Sequence, residues 1–166
     1  LNPEHSWFAT QDDGVVYVLM EVRQETDYVL HHAQKILAIF AAMRDLARHL
    51  REAGHRVRYV TIDDASNRQS IPANLAALMA HYGARTLQYQ HPDEWRLDEQ
   101  LRTWGAEQSF AVQAVSSEHF YTTRTEMSEV FKGRKQWLME HFYRRMRQRH
   151  SCLLYTSDAA DDSLRV

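Results

Sequence analysis

The polar side chains able to bind or react collect behind apolar runs. Glu21 closes the run Val15–Val22, and Glu25, Tyr28, His31 and His32 follow it within eleven residues. Asp63 and Asp64 follow the run RVRYVTI, His91, Asp93, Glu94 and Arg96 follow LQYQ, and His119 follows AVQAVSSE. Glu21 and Glu25 can accept hydrogen bonds from a neutral or N–H-bearing ligand. An acid near a helix start also complements the helix dipole, and spacing leaves both uses open for Glu25. Adjacent His31 and His32 diverge by about 100° on a helix, so they cannot chelate one metal together, and a core or supporting role is preferred. Asp63-Asp64 before Ser66-Asn67 is compatible with a magnesium site, but an Asx turn opening the next helix is the commoner use. Pro92-Asp93-Glu94-Trp95-Arg96 reads as a turn into a helix start. No Ser/His/Asp set can be assembled, and Gly14 and Gly133 lie in no nucleophile elbow.

These clusters need a frame. Val15–Val22 is almost unbroken in apolar character and rich in Val, the pattern of a strand buried on both faces of a parallel sheet. From Val29 to Glu52 the period becomes helical, with Ile36, Phe40, Met43, Ala47 and Leu50 on one stripe and Ile39 and Leu46 widening it. Gly54 then offers a left-handed stop. The same order of helix, Xaa-Gly and β run recurs at Gly83 and Gly105. Helices are expected over Asn74–Tyr82, Asp93–Trp104 and Lys135–Arg149, with an irregular connection over His119–Phe131. Residues Leu1–Asp13 read as a polar loop whose Trp7 and Phe8 pack onto the domain edge. Alternating strands and helices predict an α/β domain. Ligands of such sheets sit beyond the carboxyl ends of the strands, which selects Glu21–His32, Thr61–Asn67, His91–Arg96 and Ser116–Tyr121.

Composition narrows the classes. The 166 residues carry a net charge of −2, so no global bias points to nucleic acid or membrane. One cysteine, Cys152, excludes an internal disulfide framework and a cysteine-based zinc or iron–sulfur site within this chain. No apolar run reaches the ~18 residues of a membrane span, and a cytoplasmic setting is the default reading. The turn after Val22 is RQETDYV, which lacks the glycines that cradle a pyrophosphate, so a dinucleotide site is not expected. Lys132, Arg134, Lys135, Arg144, Arg145, Arg147 and Arg149 stand against Glu140 alone in the last helical stretch. That run can touch phosphates, though a solvated or interdomain face is the preferred reading. Residues 151–166 turn abruptly acidic and small; LYTSDAADD resembles translated vector sequence, the alternative being a disordered acidic tail.

Taken together, the motifs resemble one family. Glu21-x-x-x-Glu25-x-x-Tyr28-Val29-x-His31-His32-x-x-Lys35-Ile36, then Ala41-Ala42-Met43-Arg44, is similar to the deoxyribodipyrimidine photolyase-related proteins, the bacterial iron–sulfur photolyases and cryptochromes that include prokaryotic (6-4) photolyases. Gly54-His55-Arg56-Val57-Arg58-Tyr59, Ile62-Asp63-Asp64, Glu94-Trp95-Arg96, Gly133-Arg134-Lys135 and Met139-Glu140-x-Phe142-Tyr143-Arg144 extend the resemblance over residues 1–150.

The resemblance implies a five-stranded, Rossmann-like parallel sheet over residues 1–131, its first strand truncated ahead of Leu1-Asn2-Pro3. A basic helix over 132–150 would lead toward a helical domain. It implies an antenna chromophore, 6,7-dimethyl-8-ribityllumazine, bound by the α/β domain. Glu25 matches an acid that hydrogen-bonds the lumazine ring, and Ile39 matches a position packing near it. Met20, Glu21, Val22 and Tyr28 would complete the wall. FAD, a [4Fe-4S] cluster and the site for damaged DNA would belong to the helical domain, with the intact protein a monomeric photolyase and this piece inactive alone. A cryptochrome-type photoreceptor and a generic small-molecule-binding α/β module are the alternatives.

Overall fold

The computed structural model describes residues 1–133 and 135–152. Arg134 of the basic run and nearly all of the 151–166 tail lie outside the described residues. These residues gather into two compact units, Leu1–His119 and a second beginning at Phe120.

In the first unit β1 (Tyr17–Met20), β2 (Val57–Val60), β3 (Thr86–Gln90) and β4 (Ala111–Val115) alternate with helices. These are the one-turn α1 (Arg23–Thr26), α2 (Ala33–Glu52), α3 (Ile71–Tyr82) and α4 (Trp95–Ala106). The expected α/β alternation is therefore present, as two parallel pairs. β1 pairs with β2 from Tyr17↔Val57 to Met20↔Val60, and β3 with β4 from Thr86↔Ala111 to Gln90↔Val115. Tyr17 donates to the Arg56 carbonyl and Glu21 to that of Val60, at 2.8 and 2.9 Å. Odd-numbered residues of β1 thus serve β2, and the peptide groups of Val18 and Met20 point to the other edge. By the same parity Thr86, Gln88 and Gln90 point away from β4, since Ala111 bonds to Arg85 and His91 to Val115.

That open edge accounts for one difference from the sequence reading. β1 is shorter than Val15–Val22, it is half-buried throughout rather than enclosed on both faces, and Val15 is exposed. A strand paired on one side lacks the neighbour that would shield its second flank.

The long helix follows its sequence pattern closely. Ala47 and Leu50 are buried, while Ile36, Phe40, Met43 and Leu46 are half-buried along the same stripe. α2 packs on β2, and burying one such leucine contributes about 1.5–3 kcal/mol. Ile39, at the margin of the stripe, stays exposed. The helix starts later than Val29, because His32 is its N-cap and its Nδ1 accepts from the Gln34 amide at 3.2 Å.

Two of the three glycine stops are stops. Gly54 has φ +87° and Gly83 φ +59°, where a Cβ is unfavourable. Gly105 instead lies inside α4, and a Cβ there would stand 2.9 Å from Cγ1 of Val112 in β4. It lets helix and strand approach closely. Trp7 and Phe8 pack as expected: His5, Trp7, Phe8, Tyr17 and His55 form an aromatic cluster, and the Tyr17 hydroxyl donates to the Trp7 carbonyl at 2.5 Å. His5 ties this segment to the end of β4 through Nε2 and the Ser116 carbonyl, 2.9 Å apart.

The second unit holds α5 (Glu126–Val130), inside the stretch read as irregular, and α6 (Met139–Arg149). α6 starts four residues after Lys135. Its unit is centred on Phe131, 2 % exposed, which stacks on Trp137 at 5.4 Å and tilts against Phe142. Among the described residues no helix is long and apolar enough to cross a membrane.

Candidate ligand site at the carboxyl ends of the strands

Glu21 organises the ends of β1 and β2. Its side chain is fully enclosed, and four donors converge on it. Arg44 of α2 gives Nε and Nη2 at 2.7 and 2.9 Å, the Tyr59 hydroxyl gives 2.6 Å, and the Ile62 amide 3.0 Å. Burial alone would push this carboxyl up; the bonds from Arg44, Tyr59 and Ile62 outweigh it and hold the group below the usual carboxylate range. Burial and then the Glu21 carboxylate push the Tyr59 phenol up. Glu21 is saturated, so it scaffolds the site and offers no open lone-pair direction to a ligand.

Amide side chains carry the scaffold onward. Asn67 donates through Nδ2 to the carbonyls of Glu21 and Thr61, at 2.6 and 2.8 Å. Asn74, buried in α3, donates to Oδ1 of Asn67 and contacts the Met20 sulfur at 3.7 Å. Gln69 holds φ +59°, costly for a residue with a Cβ. It is over-determined: Nε2 donates to the Ile62 carbonyl and Oε1 accepts from the Arg23 amide, while its own amide bonds Asn67. The loops after β1 and β2 are locked together by these contacts. Asp64 makes the Asx turn, accepting from the amide and hydroxyl of Ser66 at 2.8 and 2.7 Å.

On this frame α1 presents its polar face to the start of α4. Gln24 caps α3 by accepting the Ile71 amide at 3.0 Å, and its Nε2 reaches Glu25 at 3.0 Å and Gln100 at 2.6 Å. Glu25 Oε2 accepts from Arg96 Nη2 at 2.7 Å, and Glu94 takes Nε and Nη2 of the same guanidinium. These bonds, that to Glu25 foremost, hold Arg96 above its ordinary range. The guanidinium lies 4.2 Å over the Tyr28 ring, whose edge meets His31 at 5.1 Å. His31 and His32 are thus a ring contact and a helix cap.

All four segments selected from the sequence have members in this region. Glu21 meets Ile62 and Asn67, Glu25 meets Arg96, and His119 meets Asp93 at 2.9 Å. Of the six candidate binding residues, Glu25, Tyr28 and Ile39 are reachable from solvent, Met20 is half-buried, and Glu21 and Val22 are buried. Arg96, Gln24, Gln69 and Asn74 were not among those six. The signal for them was weak, since neutral amides and one arginine at a helix start carry no spacing pattern. Among the described residues no group of three or more His, Cys, Asp or Glu could hold a metal ion. The arrangement can orient a planar, hydrogen-bonding ligand.

The sequence model of the family described as deoxyribodipyrimidine photo-lyase-related protein matches residues 1–160, past the last of the sequence motifs. A protein of Agrobacterium fabrum (strain C58 / ATCC 33970) named "(6-4) photolyase" is 36 % identical over 137 residues, which cover 82 % of this chain and 27 % of that protein. The chain thus spans little more than a quarter of the relative's length. It belongs to the deoxyribodipyrimidine photo-lyase-related protein family.

Proposed function

We propose that residues 1–119 form the antenna-binding part of a light-driven DNA-repair flavoprotein, with 6,7-dimethyl-8-ribityllumazine as the chromophore. One observation carries the reading. At the strand ends, where such sheets bind ligands, an accessible acceptor (Glu25), a donor (Arg96) and an aromatic face (Tyr28) converge. When bound, the lumazine supplies near-ultraviolet absorption and passes the excitation to a flavin. The chain's own part is to hold the ring. Glu25 accepts from a ring N–H, Tyr28 and Ile39 supply apolar contact, and buried Val22 and half-buried Met20 back them. Glu21 fixes the turn that carries Glu25. The donor set fits such a ring: an orienting group needs few polar contacts on an apolar wall.

The name of the relative supports repair over a signalling role. Flavin, iron–sulfur cluster and damaged DNA belong, on this reading, to the portion of such proteins outside the match. A fifth parallel strand is also part of the proposal. The peptide edges at Val18 and Met20 and at Thr86, Gln88 and Gln90 suit a strand between β1 and β3, the centre of a doubly wound order.

The test is direct. The purified 166-residue chain is mixed with 6,7-dimethyl-8-ribityllumazine and gel-filtered. Near-ultraviolet absorbance co-eluting with the protein, and lost in Glu25→Ala, supports the reading; no retained absorbance at any loading concentration rejects it.

A further inference from the structure

The pair formed by Glu25 and Arg96 offers a ligand an acceptor and a donor side by side. Arg96 spends Nε and Nη2 on Glu94 and Glu25, which leaves both N–H groups of Nη1 without a partner among the described residues. Each oxygen of Glu25 accepts one bond, from Gln24 or Arg96, and a carboxylate oxygen has room for a second. Both side chains are partly open, 29 % exposed for Glu25 and 38 % for Arg96. The guanidinium is not loose. Its two bonds to Glu94 and the Tyr28 ring beneath it fix its plane. A planar fork held in this way favours a planar partner.

We propose that Arg96 is a specificity-determining residue of the site, and that Glu25 and Arg96 together read a cyclic-imide edge. Glu25 takes the imide N–H and the Nη1 groups of Arg96 donate to the adjacent carbonyl. The ligand class is a planar heteroaromatic with a carbonyl, N–H, carbonyl edge. Where an amino group replaces the carbonyl that Arg96 reads, a second donor faces the partly open guanidinium and donor meets donor. Rejection built on an unpaired polar group is stronger than rejection by shape. This inference rests on the antenna reading and deepens it by naming the ring edge and the second residue that reads it.

The experiment titrates the full chain with three probes, following absorbance shift and fluorescence. They are 6,7-dimethyl-8-ribityllumazine, its N3-methyl derivative, and a 2-amino-4-oxopteridine with the same 8-ribityl chain. Expected are binding of the first and affinities lower by at least about tenfold for the other two. In Arg96→Ala the lumazine weakens by about tenfold or more and its bound absorption band shifts, while the preference over the 2-amino ring collapses. Arg96→Lys recovers part of the affinity but not the preference. Wild-type binding of the lumazine with equal affinity for all three probes overturns the imide assignment and leaves the antenna reading intact. Unchanged discrimination in Arg96→Ala overturns the role of Arg96. Failure of the wild type to bind any probe overturns both readings. The N3-methyl comparison needs no variant, so loss of folding in Arg96→Ala cannot mask the outcome.

Discussion

Arg44 meets Glu21 with two parallel N–H···O bonds of 2.7 and 2.9 Å, although the carboxylate is fully enclosed and the guanidinium is half open to water. The asymmetry sets how the pair acts. Arg44 can be solvated without Glu21, but Glu21 cannot be solvated without unfolding the ends of β1 and β2. Removing Arg44 leaves a charge whose remaining donors are Tyr59 and Ile62. For Arg44→Met the orphaned Glu21 carboxylate should cost about 2–3 kcal/mol in denaturant unfolding. The double variant Glu21→Gln/Arg44→Met should lose less than the single one, because no buried charge remains. Equal losses would show that Arg44 acts through packing alone.

The same network sets a pH window. Glu21 has a folded pKa below its ordinary 4.5, so its contribution is present above that value and fades as pH falls through the lower folded pKa. Tyr59 has a folded pKa above its ordinary 10.0, so its contribution holds below that value and is lost as pH rises beyond it. Stability against pH should therefore show an acid limb below 4.5 and an alkaline limb above 10.0. Glu21→Gln should flatten the first and Tyr59→Phe the second in thermal unfolding followed by circular dichroism. A limb unchanged in its own variant would assign it to other groups.

Gly83 and Gly105 shared one sequence pattern and have two different tasks. Gly83 sits at φ +59° with nothing within 4 Å of an added Cβ, so Gly83→Ala carries only a backbone cost of about 1–2 kcal/mol. Gly105→Ala drives a methyl against Val112, 2.9 Å away, at a cost of about 1–3 kcal/mol. Val112→Ala should recover part of the second loss and none of the first. Urea titration of the wild type, the three single variants and the two double variants decides it.

This contrast shows where the sequence was legible. The α2 stripe of Phe40, Met43, Ala47 and Leu50 could be read, because one periodic face meets one sheet. The Xaa-Gly ending predicted a helix stop, and only the distance to Val112 distinguishes a stop from a close crossing. Glu21 and Glu25 looked alike, two acids four apart in one turn. Enclosure separates them: Glu21 is consumed by Arg44, Tyr59 and Ile62, and Glu25 keeps accessible lone pairs. The partners of both come from far along the chain, Arg44 at a separation of 23 and Arg96 at 71. No local periodicity encodes such separations.

The strand edges allow the last prediction. In β1 the Leu19 amide faces β2, while those of Val18 and Met20 face the other edge; in β3 the Tyr89 amide faces β4 and that of Gln88 does not. Ladder amides exchange only when the pair opens, whereas edge amides need no such opening. Native-state hydrogen exchange on the chain should therefore split by parity, with Leu19 and Tyr89 slow and Val18, Met20 and Gln88 fast by at least about a hundredfold. Adding the lumazine should slow exchange around Glu25 and Arg96 but leave this edge parity in place, since a ring at the strand ends satisfies no ladder amide. A strand entering between β1 and β3 would do the opposite and protect Val18, Met20 and Gln88 together. Uniformly slow exchange in the chain as it stands would mean that both edges are already paired, and would exclude the fifth strand from that position.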